Sequence, residues 1–325
     1  MAFSLIEDLS QFPASLRGAT IAIGNFDGCH LGHQAVFDAA KEKAKREGKP
    51  ALVLTFEPHP RDVFAPQPFM FRLTERDQKA RLVEALGFDG IVVMPFNKEL
   101  AGKTAEEFVS DFLVDSIGVS AVAVGADFHF GKARAGTPDF LVKSGELHGF
   151  DVKICGMLDD GSEPVSSSRV RDALRAGDLP AANALLGYHF FISGEVSHGD
   201  KRGRELGYPT ANIALSPFEG LQHGIYAVRV LHKGTAYDGV ASYGRRPMFD
   251  NGKALFETFI FDFKGEIYGD VLEVAITKYL RGEKNFDGVD ALIAAMDQDS
   301  IDAKENLAAE KAITDLDVEL GFFSS

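Results

Sequence analysis

Two histidines three residues apart, His30 and His33, end the stretch Gly24-Asn25-Phe26-Asp27-Gly28-Cys29-His30-Leu31-Gly32-His33. Glycines at this density let backbone approach a ligand closely, and a helix that starts here offers unpaired N–H groups to a phosphate. The i, i+3 spacing turns both imidazoles to one side of the helix start. Two such donors can stabilise negative charge that develops on a phosphoryl group in transfer. Read alone, the same residues also fit a strand-to-helix turn that happens to contain histidine, or a two-histidine metal site.

A second polar stretch lies far downstream, at Gly203-Arg204-Glu205-Leu206-Gly207-Tyr208-Pro209-Thr210-Ala211-Asn212. Pro209 fixes a turn, and Thr210 and Asn212 alternate onto one face of an extended segment. A hydroxyl and an amide oxygen are hard ligands of the kind Mg²⁺ accepts beside nucleotide phosphates. A polar loop with an Asx-type turn would look the same at this level.

The elements that must carry these residues fall into two textures. Up to about residue 158, apolar strand-like runs at 20–23, 51–56, 90–96, 120–125 and 151–158 alternate with amphipathic helical stretches at 34–46, 75–86, 105–117 and 138–147. In the second of these helices Ala80, Leu82, Val83 and Leu86 share a face. Such alternation predicts βαβ units on a parallel sheet. Ligands bind beyond the carboxyl ends of strands in such a sheet, so the segments that follow the five strands are expected to converge on one crevice. A helical pattern continues over 169–186, with Asp178 as a candidate N-cap, and Gly187 ends it. Beyond that, short strand-like runs at 190–196, 225–231, 236–242, 255–263 and 271–276 predict an antiparallel barrel, with Lys233-Gly234 and Lys264-Gly265 as hairpin turns. A helical stretch over 289–320 closes the chain. The expected domains are 1–186 and 187–325.

Composition narrows the classes. The 325 residues carry 34 Lys+Arg against 48 Asp+Glu, a net charge of −14, with 45% hydrophobic and 25% charged residues. These are globular values, and the acidic balance disfavours non-specific nucleic-acid binding, which needs clustered cations. Residues 286–325 hold ten acids and two bases, so an acidic C-terminal segment carries over half of the excess. With only Cys29 and Cys155 present, a disulfide scaffold and a cysteine zinc site are excluded. No signal-peptide pattern or long apolar run is present, so a cytoplasmic protein with no membrane and no nucleic-acid partner is expected.

Residues 24–33 resemble the HxGH nucleotidyltransferases, relatives of the class I aminoacyl-tRNA synthetase fold. Thr55-Phe56-Glu57-Pro58-His59-Pro60, Gly125-Ala126-Asp127-Phe128-His129-Phe130-Gly131 and Ser166-Ser167-Ser168-Arg169-Val170-Arg171 narrow this to a resemblance to the FMN adenylyltransferase module of bacterial bifunctional riboflavin kinase/FAD synthetases. That implies a Rossmann-like α/β domain with ATP contacts at Gly24, Phe26, Asp27, Gly28, Ser166, Ser167 and Arg171. It also implies His30 and His33 as catalytic donors, and nucleotide or flavin positioning by His59, Asp127 and Phe128. Ser168 stands where the family usually has Thr. Residues 203–212 resemble the GRxLGFPTANI signature of riboflavin kinases, and Gly224-Ile225-Tyr226-Ala227 resembles that family's GxYA strand.

This second resemblance implies kinase ATP contacts at Gly203, Arg204, Gly207 and Pro209, and Mg²⁺ held with ATP by Thr210 and Asn212. It further implies Glu257 as the base for the riboflavin 5′-hydroxyl, and a flavin-covering flap at 281–286 with Arg281 and Phe286. Ser242-Tyr243, Met248 and Ala295-Met296 depart from the family's usual Asn-Ile, Thr and Gln-Ile. The implied activity is bifunctional: riboflavin to FMN, then FMN to FAD, each with ATP. The alternatives are an HxGH transferase for another acceptor and a flavin-binding regulator with silent sites; a tRNA-synthetase relative lacks its KMSKS-type lysine run.

Overall fold

The computed structural model describes residues 2–65, 70–197, 208–215, 220–245 and 254–324. It divides into two compact units, Met1–Ser166 and Ser167–Ser325.

The first unit is built on six strands: β1 (Ser4–Ile6), β2 (Thr20–Ile23), β3 (Ala51–Glu57), β4 (Gly90–Pro95), β5 (Ala121–Gly125) and β6 (Asp151–Cys155). They form one parallel sheet in the order β1-β4-β3-β2-β5-β6. Central strands are apolar on both faces, with Ile21, Ala22, Leu52, Val53 and Leu54 wholly buried, as a sheet covered on both sides requires. The coverings are α1 (Leu31–Glu47), α2 (Pro60–Val63), α3 (Arg76–Ala85), α4 (Lys98–Gly102), α5 (Ala105–Glu107), which runs on as a π-helical stretch Phe108–Ile117, and α6 (Pro138–His148). Strand order reverses between β2 and β5, a switch point of the kind that opens a ligand crevice.

The sequence pattern did not reveal β1, whose three residues are too short to show a period. It pairs with β4 where a Cβ on Gly90 would stand 2.5 Å from the Ser4 carbonyl oxygen, so only glycine fits this approach.

The second unit opens with α7 (Ser167–Ala176) and α8 (Leu179–Leu186); Asp178 caps α8 by accepting from the Ala181 N–H at 3.1 Å. Six strands follow: β7 (Phe191–Ser197), β8 (Thr210–Ala214), β9 (Gly224–His232), β10 (Thr235–Arg245), β11 (Ala254–Ile260) and β12 (Val271–Arg281). They close as β10-β11-β8-β7-β12-β9, every pair antiparallel. Then come α9 (Val289–Ala309) and α10 (Asp315–Glu319).

The compact units meet between Ser166 and Ser167, and α8 packs with the barrel. Asn183 accepts from the Phe190 N–H and donates to the Ile276 carbonyl, while Leu179 and Leu186 are fully buried. Lys233-Gly234 is a true hairpin turn with φ of 48° and 80°, but Lys264-Gly265 is not, since β11 and β12 are not neighbours. The closing helix breaks at 310–314, where buried His189 is hydrogen-bonded to both Asp317 and Glu310, and Thr314 caps a new helix. Among the described residues no helix is long and apolar enough to cross a membrane.

Candidate active sites

In the first unit the segment after β2 lies between those after β3 and β5. His30 is the N-cap of α1: its Nδ1 accepts from the His33 backbone N–H at 3.3 Å. The two imidazoles stack with centroids 3.6 Å apart and planes at 19°, and Phe26 meets His33 edge-on at 5.3 Å. The turn before them is sharply bent, with φ of 47° at Phe26, 84° at Gly28 and 38° at Cys29. Left-handed backbone at two non-glycine residues carries strain and persists only where surroundings enforce it.

Buried bonds enforce it here. Asp27, 3% exposed, accepts from the Leu73 and Thr74 N–H groups at 3.0 and 3.1 Å, and the Gly28 N–H donates to Thr74 Oγ1 at 3.0 Å. On the β3 side, the Thr55 hydroxyl and Lys79 Nζ both donate to the Asn25 carbonyl at 3.0 Å. Lys79 also donates to Glu57 Oε1 at 3.0 Å, and Arg72 Nη2 reaches the same carboxylate at 2.5 and 2.6 Å.

Burial, with the neighbouring charges of His30 and Lys79, pushes His33 well below the usual imidazole range. Its Nδ1 is buried without a hydrogen-bond partner. His30 Nδ1 is an acceptor, which leaves its proton on Nε2. Held this way, the stacked rings present imidazole N–H groups as donors at the helix start. His59, the N-cap of α2, is lowered to about 4 by burial, aided by the Arg72 and Lys79 charges. Burial lifts the Cys29 thiol to about 12, so it is no nucleophile. Glu57 would rise through burial, but the Lys79 and Arg72 charges outweigh that and hold it below the ordinary carboxylate range.

Asp127 follows β5 as an exposed residue, and half-buried Phe128 stacks on Phe130 at 5.5 Å. Gly24 follows β2 directly, and a Cβ there would stand 2.9 Å from the Phe26 ring. Ser166 closes the first unit; Ser167 opens α7 and Arg171, 7% exposed, lies one turn on, so both belong to the second unit.

In the barrel, register does the positioning. Ser197 of β7 pairs with Asn212 of β8, Asn212 with Glu257 of β11, and Glu257 with Ser242 of β10. Directly paired residues share a face, with Cβ atoms about 4.5–5.5 Å apart, so four polar side chains form one row across four strands. Their neighbours Ile213, Phe256 and Tyr243 turn to the opposite face and are buried. Asn212 is 5% exposed and its Oδ1 has no hydrogen-bond partner. Thr210, two residues before it, faces the same way opposite Phe259.

Pro209 is exposed beside this row, whereas Gly203, Arg204 and Gly207, with Met248, lie outside the described residues. The two departures at 242–243 separate: Tyr243 is absorbed into the packed face against His223 and Phe256, and Ser242 joins the polar row. The Arg281 guanidinium is engaged by Asp299 of α9 through Nε and Nη2 at 2.7 and 2.6 Å, and Phe286 lies 5.8 Å from it. Arg281 thereby ties the 281–286 segment to α9.

The sequence reading missed Lys79, Thr55, Glu57 and Arg72 as support for the first site, and Ser197 and Ser242 beside the second. A lysine at i relative to Leu82 and Val83 sits on an apolar helix face, which was the available signal for Lys79. The serines had none, because strand register is not written in local pattern.

Family models match in two places: one described as FAD synthetase over residues 12–169, one as riboflavin kinase over 186–307. A curated bifunctional riboflavin kinase/FMN adenylyltransferase from Escherichia coli K12 is 38% identical, covering 92% of this chain and 96% of its own. The protein of that description from Pseudomonas fluorescens is 40% identical over 95% of this chain and 99% of its own. A crystal structure described as a macrolide-efflux protein from Streptococcus pneumoniae superposes with a TM-score of 0.77 at 28% identity, covering 92% of this chain and 97% of that one. That likeness carries the fold. With both halves matched in order and more than nine-tenths of the chain aligned, the chain belongs to the bifunctional riboflavin kinase/FMN adenylyltransferase family.

Proposed function

We propose that this protein phosphorylates riboflavin to FMN in its barrel unit and joins FMN to AMP in its sheet-based chemistry, using ATP for both, in the cytoplasm. The observation that carries the reading is that each family match comes with its own polar cluster: stacked histidines at a helix start in one, an unpartnered amide oxygen paired with a carboxylate in the other.

In the kinase reaction the 5′-hydroxyl proton passes to the Glu257 carboxylate as the oxygen attacks the γ-phosphorus of ATP, and ADP leaves. A neutral alcohol nucleophile gains from such a base. The orphaned Asn212 Oδ1 and the Thr210 hydroxyl are hard donors that fit Mg²⁺ arriving with ATP. When bound, the ion supplies charge neutralisation on the phosphates. Pro209, with Gly203, Arg204 and Gly207, lines the nucleotide, and Phe286 covers the flavin on a segment held by Arg281.

In the adenylyl reaction an oxygen of the FMN phosphate attacks the α-phosphorus of ATP and pyrophosphate leaves. The nucleophile is already ionised, so alignment and charge stabilisation suffice. His30 and His33 donate to the transferring phosphoryl group. Gly24, Phe26, Asp27 and Gly28 shape the approach; Ser166, Ser167 and Arg171 grip the triphosphate, where a guanidinium suits bidentate contact. His59, Asp127 and Phe128 position nucleotide and flavin.

The test is a time course of pure protein with riboflavin, ATP and Mg²⁺, with flavins separated chromatographically. FMN should appear first and FAD after it. Bound flavin that stays unchanged, with neither product formed, supports the regulator reading instead.

A further inference from the structure

We propose that Lys79 is a positioning residue of the adenylyl-transfer site, a buried ammonium that fixes the Gly24–His33 turn through the Asn25 carbonyl. This rests on the adenylyltransferase reading and deepens it.

Lys79 lies on α3 and is 1% exposed. A buried lysine is costly unless its charge is paired and its donors used. Here the Nζ has three acceptors: Asn25 O at 3.0 Å, Glu57 Oε1 at 3.0 Å and Thr55 Oγ1 at 3.3 Å. Packing alone would be served better by leucine or methionine at this position, so the charge needs a reason. The acceptor that distinguishes it is Asn25 O, one residue before Phe26, whose φ is 47° and whose ring abuts His33. The ammonium thus holds the backbone that sets the histidine pair. From the other side, Asp27 is held by the Leu73 and Thr74 N–H groups at the approach to α3. The turn is clamped at Asn25 by this helix and at Asp27 and Gly28 by its lead-in.

The charge has a second consequence. Burial and the His30 charge lower His33, and the Lys79 charge adds to them. The other ionisable groups coupled in this network are Asp27, Cys29, Glu57, His59, Asp62, Arg72 and Glu75. Without the ammonium, His33 takes up a proton at higher pH and loses its place as a neutral donor.

The experiment compares wild type, Lys79→Met and the double variant Glu57→Gln/Lys79→Met, which removes both members of the ion pair and so leaves no carboxylate short of a partner. Each full-length protein is assayed for FAD formation from FMN and ATP across pH, with riboflavin phosphorylation and thermal melting as folding controls. Expected is a fall of about 10²-fold in kcat for FAD formation, of the size that small misplacements cause. KM for ATP should change less than threefold, the acid limb of the pH profile should move to higher pH, and the double variant should behave likewise. A kcat within threefold of wild type in the folded double variant overturns the proposal. So does a loss of kcat with an unmoved acid limb, since Lys79 would then serve packing alone. Wild type run alongside keeps the two levels apart: no FAD from wild type overturns the adenylyltransferase reading itself, and this inference with it.

Discussion

The two polar clusters reach order by opposite means. In the sheet unit, His30 and His33 sit at a helix start reached through a turn with left-handed backbone at Phe26 and Cys29, and buried side chains from distant segments hold that turn. In the barrel unit, Asn212 and Glu257 need no such scaffold, because antiparallel register sets them opposite one another. The difference follows the proposed chemistry. A reaction with an ionised nucleophile asks for donors aimed at one point, and a strained, over-determined turn can aim them. A reaction with a neutral alcohol asks for a base beside a metal-bearing donor set, and neighbouring strands supply that pairing directly.

The comparison breaks most visibly at Glu257. Glu257→Gln keeps the size of the side chain and removes its basicity, so kcat for FMN formation should fall about 10²–10⁴-fold. FAD formation from supplied FMN should hold, and steady-state assays of both reactions check it. His33→Ala is the counterpart: loss of one preorganised donor should lower kcat for FAD formation about 10²–10³-fold, more than it weakens ATP binding. Equilibrium ATP titration beside the kinetics separates the two effects.

A third expectation sharpens the electrostatic side. His59 has its pKa lowered to about 4 from 6.5, and it is 8% exposed. The unfolded chain therefore binds the proton first as pH falls. Stability from this group is whole above pH 6.5 and drains between there and about 4, by about 3 kcal/mol. His59→Gln does not titrate, so melting of the wild type should lose stability relative to that variant as pH falls from 6.5 to about 4, with the gap between them constant above that window. The smallest effect is expected at Asn212. Asn212→Ala removes one of the proposed Mg²⁺ donors, so KM for ATP·Mg²⁺ should rise roughly tenfold, the loss of one ordinary polar contact, and extra Mg²⁺ should partly restore it.

Much of this was legible beforehand where period and punctuation speak. Strands β2 to β6, the long helices α1, α3 and α6, the Asp178 cap and the Lys233-Gly234 turn all carry local signals, and the structure has them. What stayed hidden was tertiary. The closing helix breaks without Gly or Pro, because His189 engages Asp317 and Glu310. Helix α8 is buried against β12, a contact that no composition shift announces. In the sites, motif residues His30, His33, Asn212 and Glu257 stood out by type, while Lys79 carried only the weaker signal of its spacing to Leu82 and Val83, and its burial is a tertiary fact.

The central claim is that two regions of one chain carry two separable chemistries, and a reciprocal assay tests it most directly. Wild type, His33→Ala and Glu257→Gln are each given riboflavin, ATP and Mg²⁺, and each is separately given FMN, ATP and Mg²⁺, with FMN and FAD quantified over time. The account predicts that His33→Ala accumulates FMN from riboflavin at the wild-type rate and makes little FAD. Glu257→Gln should form almost no FMN from riboflavin, yet convert supplied FMN to FAD normally. Folded variants that lose both reactions together, or neither, would contradict it.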